Sequence, residues 1–275
     1  MPSTTTQVTS RAGIEQLRRH WRADEPRAAV LLVHGIAEHS GRYEHVGTGL
    51  ADHGFDTLAF DLRGHGDSGG RRGHVESFDD FLDDVEELLA ERAELGVPVV
   101  LFGHSLGGLI AATYVVRGRP APDLLVLSAP ALQAEVPGWQ RTMANALGRV
   151  APRLAIPNNF DGSRLSRDEA VGVAYRDDPL RVKVATTRLG VEMFAAMATT
   201  FDAVKTITLP TYVLHGADDN LIKPAATEPF VGMPNVERIV HDGLRHECLN
   251  EPEQQAVLAG ITSWLDRQLA TLHTP

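Results

Sequence analysis

The run Gly103-His104-Ser105-Leu106-Gly107 is the part of this sequence best suited to chemistry. It is a G-x-S-x-G pattern, preceded by the apolar stretch PVVLF and followed by the helix-forming stretch LGGLIAATYVV. A strand that enters a helix through so tight a turn holds the serine hydroxyl above the sheet, and the small residues let the backbones approach closely. The helix start behind the hydroxyl favours negative charge there. A serine hydroxyl is a weak nucleophile until an imidazole takes its proton, and the imidazole needs a carboxylate to fix its tautomer.

Four histidines follow Ser105: His215, His241, His246 and His273. His215 lies inside the apolar run TYVLH, His273 sits in the tail, and His241 ends a strand-like run. His246 falls in the loop DGLRHECLNEP, after the last strand pattern and before the last helix pattern, and is the expected base. The acid is expected in the turn GADDNL after TYVLH, where Asp218 and Asp219 compete and residue type alone does not separate them. The negative charge that develops on an attacked carbonyl requires backbone N–H donors. Leu106, next to the nucleophile, is expected to supply one, and Ile36, in the turn His34-Gly35-Ile36, the other.

These groups need a frame. Strand patterns recur at Ala29–His34, Asp56–Asp61, Pro98–Gly103, Asp123–Ser128, Thr211–His215 and Asn235–Val240. Several are apolar on consecutive positions, as expected of strands covered on both faces. Helical patterns lie between them at Tyr43–Gly54, Ser77–Leu95, Gly107–Arg117 and Pro252–Leu272. That alternation predicts an α/β protein with a mostly parallel sheet flanked by helices. Val8–Ala23 is read as an antiparallel hairpin at one edge. From Ala131 to Thr208 no strand pattern is found, whereas Trp139, Met143, Leu147, Val150 and Leu154 draw one apolar helical stripe. Further helices are expected over Ser166–Tyr175 and Asp178–Phe201. The expected division is therefore a core from residues 1–130 and 209–275, with a helical cap inserted at 131–208.

Composition narrows the function. A net charge of −10 and the absence of a basic stripe disfavour nucleic acid as a partner. With 43% hydrophobic and 23% charged residues the chain is ordinary globular material, with disorder expected only over Met1–Ser10 and Leu272–Pro275. A single cysteine, Cys248, excludes an internal disulfide and suits packing better than reactivity. The start MPSTTTQVTS lacks the features of a secretory signal and no apolar run is long enough for a bilayer span, so a cytoplasmic protein is expected. The 12 histidines include no H-E-x-x-H or comparable ligand set, and neither a metal nor a cofactor is expected. The glycines of Gly64–Gly70 lack the Lys and Ser/Thr of a phosphate-binding loop and are read as one wall of the site.

At this point four motifs resemble those of the monoacylglycerol lipases and related lysophospholipase-like hydrolases of the α/β-hydrolase fold. His34-Gly35-Ile36-Ala37-Glu38-His39-Ser40-Gly41-Arg42-Tyr43 is similar to their H-G-x-x-E-H-S-x-R-Y loop, and Asp61–Ser68 to D-x-R-G-H-G-x-S. Gly103–Gly108 resembles G-H-S-[M/L]-G-G, and Tyr175–Leu180 resembles Y-x-x-D-P-L. The resemblance implies a triad of Ser105, Asp219 and His246, and it selects Asp219 over Asp218. It also implies Ile36 and Leu106 as oxyanion donors, with Glu38, Arg42, His104 and Tyr175 organising a polar pocket for glycerol. The expected activity is hydrolysis of monoacylglycerols through an acyl-enzyme. Lysophospholipase, thioesterase and general carboxylesterase activities, and a non-catalytic ligand-binding role, are the alternatives. Transient membrane contact through the cap around Trp139 is a further expectation.

Overall fold

Apolar runs without polar alternation become the centre of a sheet. The computed structural model describes residues 2–134, 146–160 and 162–272. Its strands, in chain order, are β1 (Thr4–Thr9), β2 (Glu15–Trp21), β3 (Ala28–Val33), β4 (Phe55–Phe60), β5 (Val99–His104), β6 (Leu124–Ser128), β7 (Ala155–Pro157), β8 (Val184–Thr186), β9 (Thr211–Gly216) and β10 (Val236–His241). Eight of them form one sheet in the order β1-β2-β4-β3-β5-β6-β9-β10. The pairs β1–β2 and β2–β4 are antiparallel, and every pair from β4 onward is parallel.

Every residue of β3, β4, β5 and β9 is buried, because helices cover both faces. Helices among the described residues include α1 (Glu44–Asp52), α2 (Asp79–Ala93), α3 (Leu106–Val116), α4 (Glu169–Asp177), α5 (Thr187–Thr200) and α6 (Gln254–Leu272). Alternate residues of β3 serve two cores. Val30 and Leu32 pack with Val46 and Leu50 of α1 and Ile261 and Trp264 of α6. Leu31 and Val33 pack with Phe81 and Val85 of α2 and Leu109 and Ile110 of α3. Each such leucine, isoleucine or valine contributes roughly 1.5–3 kcal/mol by leaving water. Two cores therefore hold the central strands flat between them, and the strand ends that carry the functional groups inherit that rigidity.

Several expectations are corrected. The polar start is a strand: β1 pairs with β2 from Thr4 opposite His20 to Thr9 opposite Glu15, so the edge hairpin begins earlier than Val8. Its residues are mostly exposed, and alternation is absent because an edge strand needs little burial. The segment read as free of strands contains β7 and β8, which pair antiparallel from Ala155–Thr186 to Pro157–Val184. Helix α5 accordingly starts at Thr187 rather than Asp178. Pro179 and the β-branched Val184 and Thr186 favour extended backbone, and the Thr186 hydroxyl caps the helix by accepting from Leu189 N. Helix α4 starts after Asp168, whose side chain accepts from Ala170 N. Of the apolar stripe, Trp139 and Met143 lie outside the described residues. Residues 146–150 are helical, and Leu154 lies beyond that helix, next to β7.

Candidate active site

The tight turn at Ser105 is built from strand, serine and helix without spare space. Ser105 takes φ +52°, ψ −112°, between the end of β5 and the first residue of α3. A Cβ on Gly107 would lie 2.0 Å from Val33 O, and one on Gly103 would lie 2.3 Å from Gly107 O. Both glycines are thus demanded by backbone packing. Ser105 N donates to Ser128 O at 3.0 Å, and Ser105 O accepts from Leu109 N at 3.0 Å and Ala131 N at 2.9 Å. Backbone bonds on both sides hold the strained residue in place.

Three loops bring the partners to it. Ser105 Oγ lies 3.0 Å from His246 Nε2, and His246 Nδ1 lies 2.7 Å from Asp219 Oδ2. Asp219 Oδ1 accepts from Leu221 N at 2.8 Å and Ile222 N at 3.0 Å. Burial works to raise the Asp219 carboxyl. The hydrogen bonds from His215 and His246, the electrostatic influence of His246 and the Ile222 amide outweigh it and hold the group well below the usual carboxylate range. An ionised Asp219 accepts at Oδ2, so Nδ1 of His246 carries the proton and Nε2 is left to accept from the Ser105 hydroxyl. Asp218, by contrast, is exposed. His241 ends β10, and its carbonyl accepts from Ala217 N and Leu244 N.

The loop after β3 faces the same serine. A Cβ on Gly35 would meet Ser105 Cβ at 3.2 Å, so the loop passes directly over Ser105. Glu38 secures it from inside, with Oε1 accepting from Gly35 N at 2.5 Å and Tyr43 OH at 2.7 Å. Its Oε2 accepts from Arg42 Nη1 at 2.7 Å. Burial pushes the Glu38 carboxyl up, but Arg42, His104, His34 and the Tyr43 hydroxyl together hold it at about 2. Ser40, further along, donates N–H and O–H to Asp61 Oδ1, while Asp67 N donates to Asp61 Oδ2. The glycine-rich loop therefore braces this segment from behind. It is not a wall of the cavity, whose described lining contains none of Gly64–Gly70.

A cavity of about 220 Å³ opens at Ser105. Ile36, Glu38, Arg42, His104, Tyr175 and His246, all expected at the site, line it. Leu106 is buried behind the serine as the first residue of α3, where helix geometry leaves its amide without an i−4 carbonyl. His104 Nδ1 lies 3.1 Å from Ser128 Oγ, and its ring stands 5.0 Å from that of His246. Burial, reinforced by His246, lowers the His104 imidazole to about 4, so it is neutral near pH 7. Tyr175 lies under two guanidinium groups, Arg181 at 4.7 Å and Arg42 at 5.2 Å.

Sequence reasoning missed three kinds of residue. His215 Nε2 sits 3.1 Å from Asp219 Oδ2 and 2.7 Å from Ile222 O, so it steadies the acid. The position of His215 at the end of a strand, four residues before Asp219, carried that signal. Glu247 binds Arg42 through both oxygens, at 2.5 Å and 2.8 Å, across 205 residues of chain that leave no local pattern. Phe160, Leu165, Leu221 and Ile222 form apolar lining. Cys248 is fully buried, with its thiol pushed up to about 12, first by burial and then by Asp219 and Glu251; its role is packing. Among the described residues no group of three or more His, Cys, Asp or Glu could hold a metal ion, and no helix is long and apolar enough to cross a membrane.

A mostly parallel sheet between helical layers, with serine, histidine and carboxylate at the ends of its strands, defines an α/β-hydrolase. The profile of the family described as serine aminopeptidase, S33 matches residues 24–253, and the chain belongs to that family. A monoacylglycerol lipase of Mycolicibacterium smegmatis is 35% identical over 96% of this chain and 99% of its own. Phospholipase YtpA of Bacillus subtilis is 28% identical over 90% of this chain and 99% of its own. The crystal structure of Paleococcus ferrophilus monoacylglycerol lipase superposes with a TM-score of 0.85 at 31% identity, covering 92% of this chain and 99% of that one. The resemblance drawn from the four motifs is borne out by these relatives.

Proposed function

We propose that the protein is a serine esterase that cleaves monoacylglycerols to glycerol and free fatty acid. One observation carries this reading: Ser105, hydrogen-bonded through His246 to Asp219, lines a cavity whose polar walls include Glu38, Arg42, His104 and Tyr175. Ser105 Oγ attacks the ester carbonyl while His246 Nε2 takes its proton. The N–H groups of Ile36 and Leu106 receive the negative charge on the carbonyl oxygen. His246 then protonates the departing glycerol oxygen and activates water to release the acyl group. Phe160, Leu165, Leu221 and Ile222 offer apolar surface to the acyl chain, and the polar groups suit glycerol hydroxyls.

The family takes its name from an aminopeptidase. An aminopeptidase must hold a protonated amine, which calls for an unpaired carboxylate. Each oxygen of Glu38 and Glu247 already accepts from Arg42, Tyr43, Gly35 or Asn250, which favours an uncharged alcohol instead. Residues 131–208 act in this reading as a cap, supported by the lining that Asn158, Phe160, Leu165 and Tyr175 contribute. Transient membrane contact through that cap is supported by exposed Val150, Leu154, Ile156 and Val173, with Val150 80% accessible.

A second reading, lysophospholipase, thioesterase or general carboxylesterase, is favoured by the phospholipase among the relatives. Steady-state hydrolysis of mono-, di- and triacylglycerols with one acyl chain, alongside the matching lysophospholipid and acyl thioester, separates the two. Strong preference for the monoacylglycerol, abolished by Ser105→Ala, is the expected result. Equal turnover of all the esters, still dependent on Ser105, would remove the glycerol pocket and keep the hydrolase.

A further inference from the structure

The residue after the proposed base has no role in the scheme above, yet it is buried, charged and doubly bonded. Glu247 is 4% accessible. Its Oε1 lies 2.5 Å from Arg42 Nη1 and its Oε2 lies 2.8 Å from Arg42 Nη2, a two-pronged pair. Arg42 Nη1 also donates to Glu38 Oε2 at 2.7 Å, and Glu38 Oε1 accepts from Gly35 N, the amide immediately before Ile36. A continuous series thus runs from Gly35 through Glu38, Arg42 and Glu247 to the backbone of His246.

The sheet does not supply this link. The loop carrying Ile36 leaves β3 and the loop carrying His246 leaves β10, and three strands, β5, β6 and β9, stand between them. Backbone ladders fix each strand to its neighbour but leave the far ends of two such loops free to drift. A planar guanidinium gripping a carboxylate at two points sets both distance and orientation, and does so most firmly where water is excluded. Glu247 is itself anchored, since its N–H donates to Leu165 O at 2.8 Å and its Oε2 accepts from Asn250 Nδ2 at 2.8 Å.

We propose that Glu247 is a positioning residue that, through Arg42, sets the spacing between the His246 imidazole and the oxyanion loop at Ile36. The inference rests on the roles given above to Ser105, His246 and Ile36. Arg42, which also lines the cavity, in this way couples Glu247 to the oxyanion loop. His45 of α1, the helix that follows the oxyanion loop, has its Nε2 2.7 Å from Leu249 O and ties the two regions a second time, so a chain altered at Glu247 keeps them together while losing their spacing.

The test is Glu247→Gln, assayed on a monoacylglycerol and on p-nitrophenyl butyrate, which has no glycerol. The expected result is a fall in kcat of roughly 10- to 100-fold on both esters with KM within about twofold, the behaviour of misplaced reacting groups. On p-nitrophenyl butyrate, which does not call on the glycerol pocket, Arg42→Met should behave alike, and the double variant should be no worse than the poorer single one, because one connection is broken in each case. Loss confined to the glycerol ester, additive losses in the double variant, or wild-type rates would each overturn the proposal. Should Glu247→Gln fail to fold, Glu247→Asp is measured in the same way. An equal kcat loss on both esters then supports the connection, and wild-type rates overturn it. Full activity in Ser105→Ala would instead overturn the underlying reading, so the two failures are distinct.

Discussion

His215 Nε2 lies 3.1 Å from Asp219 Oδ2, the same oxygen that stands 2.7 Å from His246 Nδ1. Nε2 of His215 also faces Ile222 O, which can only accept, so that nitrogen carries the proton. His215 therefore shares its one N–H between Ile222 O and the carboxylate, while His246 donates to the same carboxylate oxygen from the other side. Removing it with His215→Ala takes a hydrogen bond from an ionised acceptor, worth roughly 1.5–3 kcal/mol. Expressed in the transition state, that is a fall in kcat of about 10- to 100-fold with KM little changed. Steady-state kinetics check it, and an unaltered kcat would show that Asp219 needs no second anchor.

Asp219→Asn should be more damaging. Oδ1 accepts two amides, from Leu221 and Ile222, so the asparagine oxygen takes that place and its NH2 faces the two imidazoles. His246 is then driven to the tautomer with its proton on Nε2, toward Ser105. A loss of about 10⁴ in kcat is expected, with the fold retained. Circular dichroism and single-turnover rates measure both halves of that statement.

Acid should destabilise the fold through the loop over Ser105. Burial opposes ionisation of Glu38, but Arg42, His104, His34 and Tyr43 bring its folded-state value to about 2, below its ordinary 4.5. A carboxyl lowered by folding contributes stability above its unfolded value, and that contribution disappears as pH falls from about 4.5 toward about 2. Asp56 acts in the same direction: burial opposes the lowering, while His20 and Arg92 bring it to about 2. Urea denaturation across that range should show stability falling with pH, and Glu38→Gln should flatten the slope.

Gly107→Ala tests the packing of the serine turn. The added methyl would sit 2.0 Å from Val33 O and 2.7 Å from His34 O, both backbone atoms with no rotamer to yield. Destabilisation of at least about 3 kcal/mol is expected, or no folded protein. Chemical denaturation against the parent chain gives the number, and a loss under about 1 kcal/mol would mean that the sheet and helix can separate there.

Cys248 should resist thiol reagents. It is fully buried and its thiol is pushed up to about 12, so thiolate is scarce in the folded state. Labelling in native buffer should proceed only as fast as the chain opens, and should become rapid in denaturant.

The legibility of this protein in its sequence followed the range of its interactions. The run PVVLFGHSLGG displays strand, turn and helix within a dozen residues, and its serine could be read without any partner. His246 was found by topology, from its place between the last strand and the last helix. Asp219 needed the resemblance, because two adjacent aspartates fit the turn equally and only burial and the bond to His246, both products of the fold, separate them. Glu247 and His215 were missed: one pairs with a residue 205 positions away, and the other was hidden inside an apolar strand. The β7–β8 pair escaped because three-residue strands are too short to show a period. The edge strand Thr4–Thr9 escaped because its polar residues read as solvated coil.

Ser105 occupies a backbone conformation that side-chain-bearing residues avoid, at a cost of order 1–3 kcal/mol. No local tripeptide supplies that energy; β5, α3, and the bonds to Ser128, Leu109 and Ala131 do so jointly. Reactivity is consequently a readout of the cooperative state of the whole domain. With Ser105 as the proposed nucleophile, a chain that has lost its sheet loses the turn and with it the arrangement that would activate the serine. For this protein, the fraction of chains that a serine-directed probe can label is a census of native molecules.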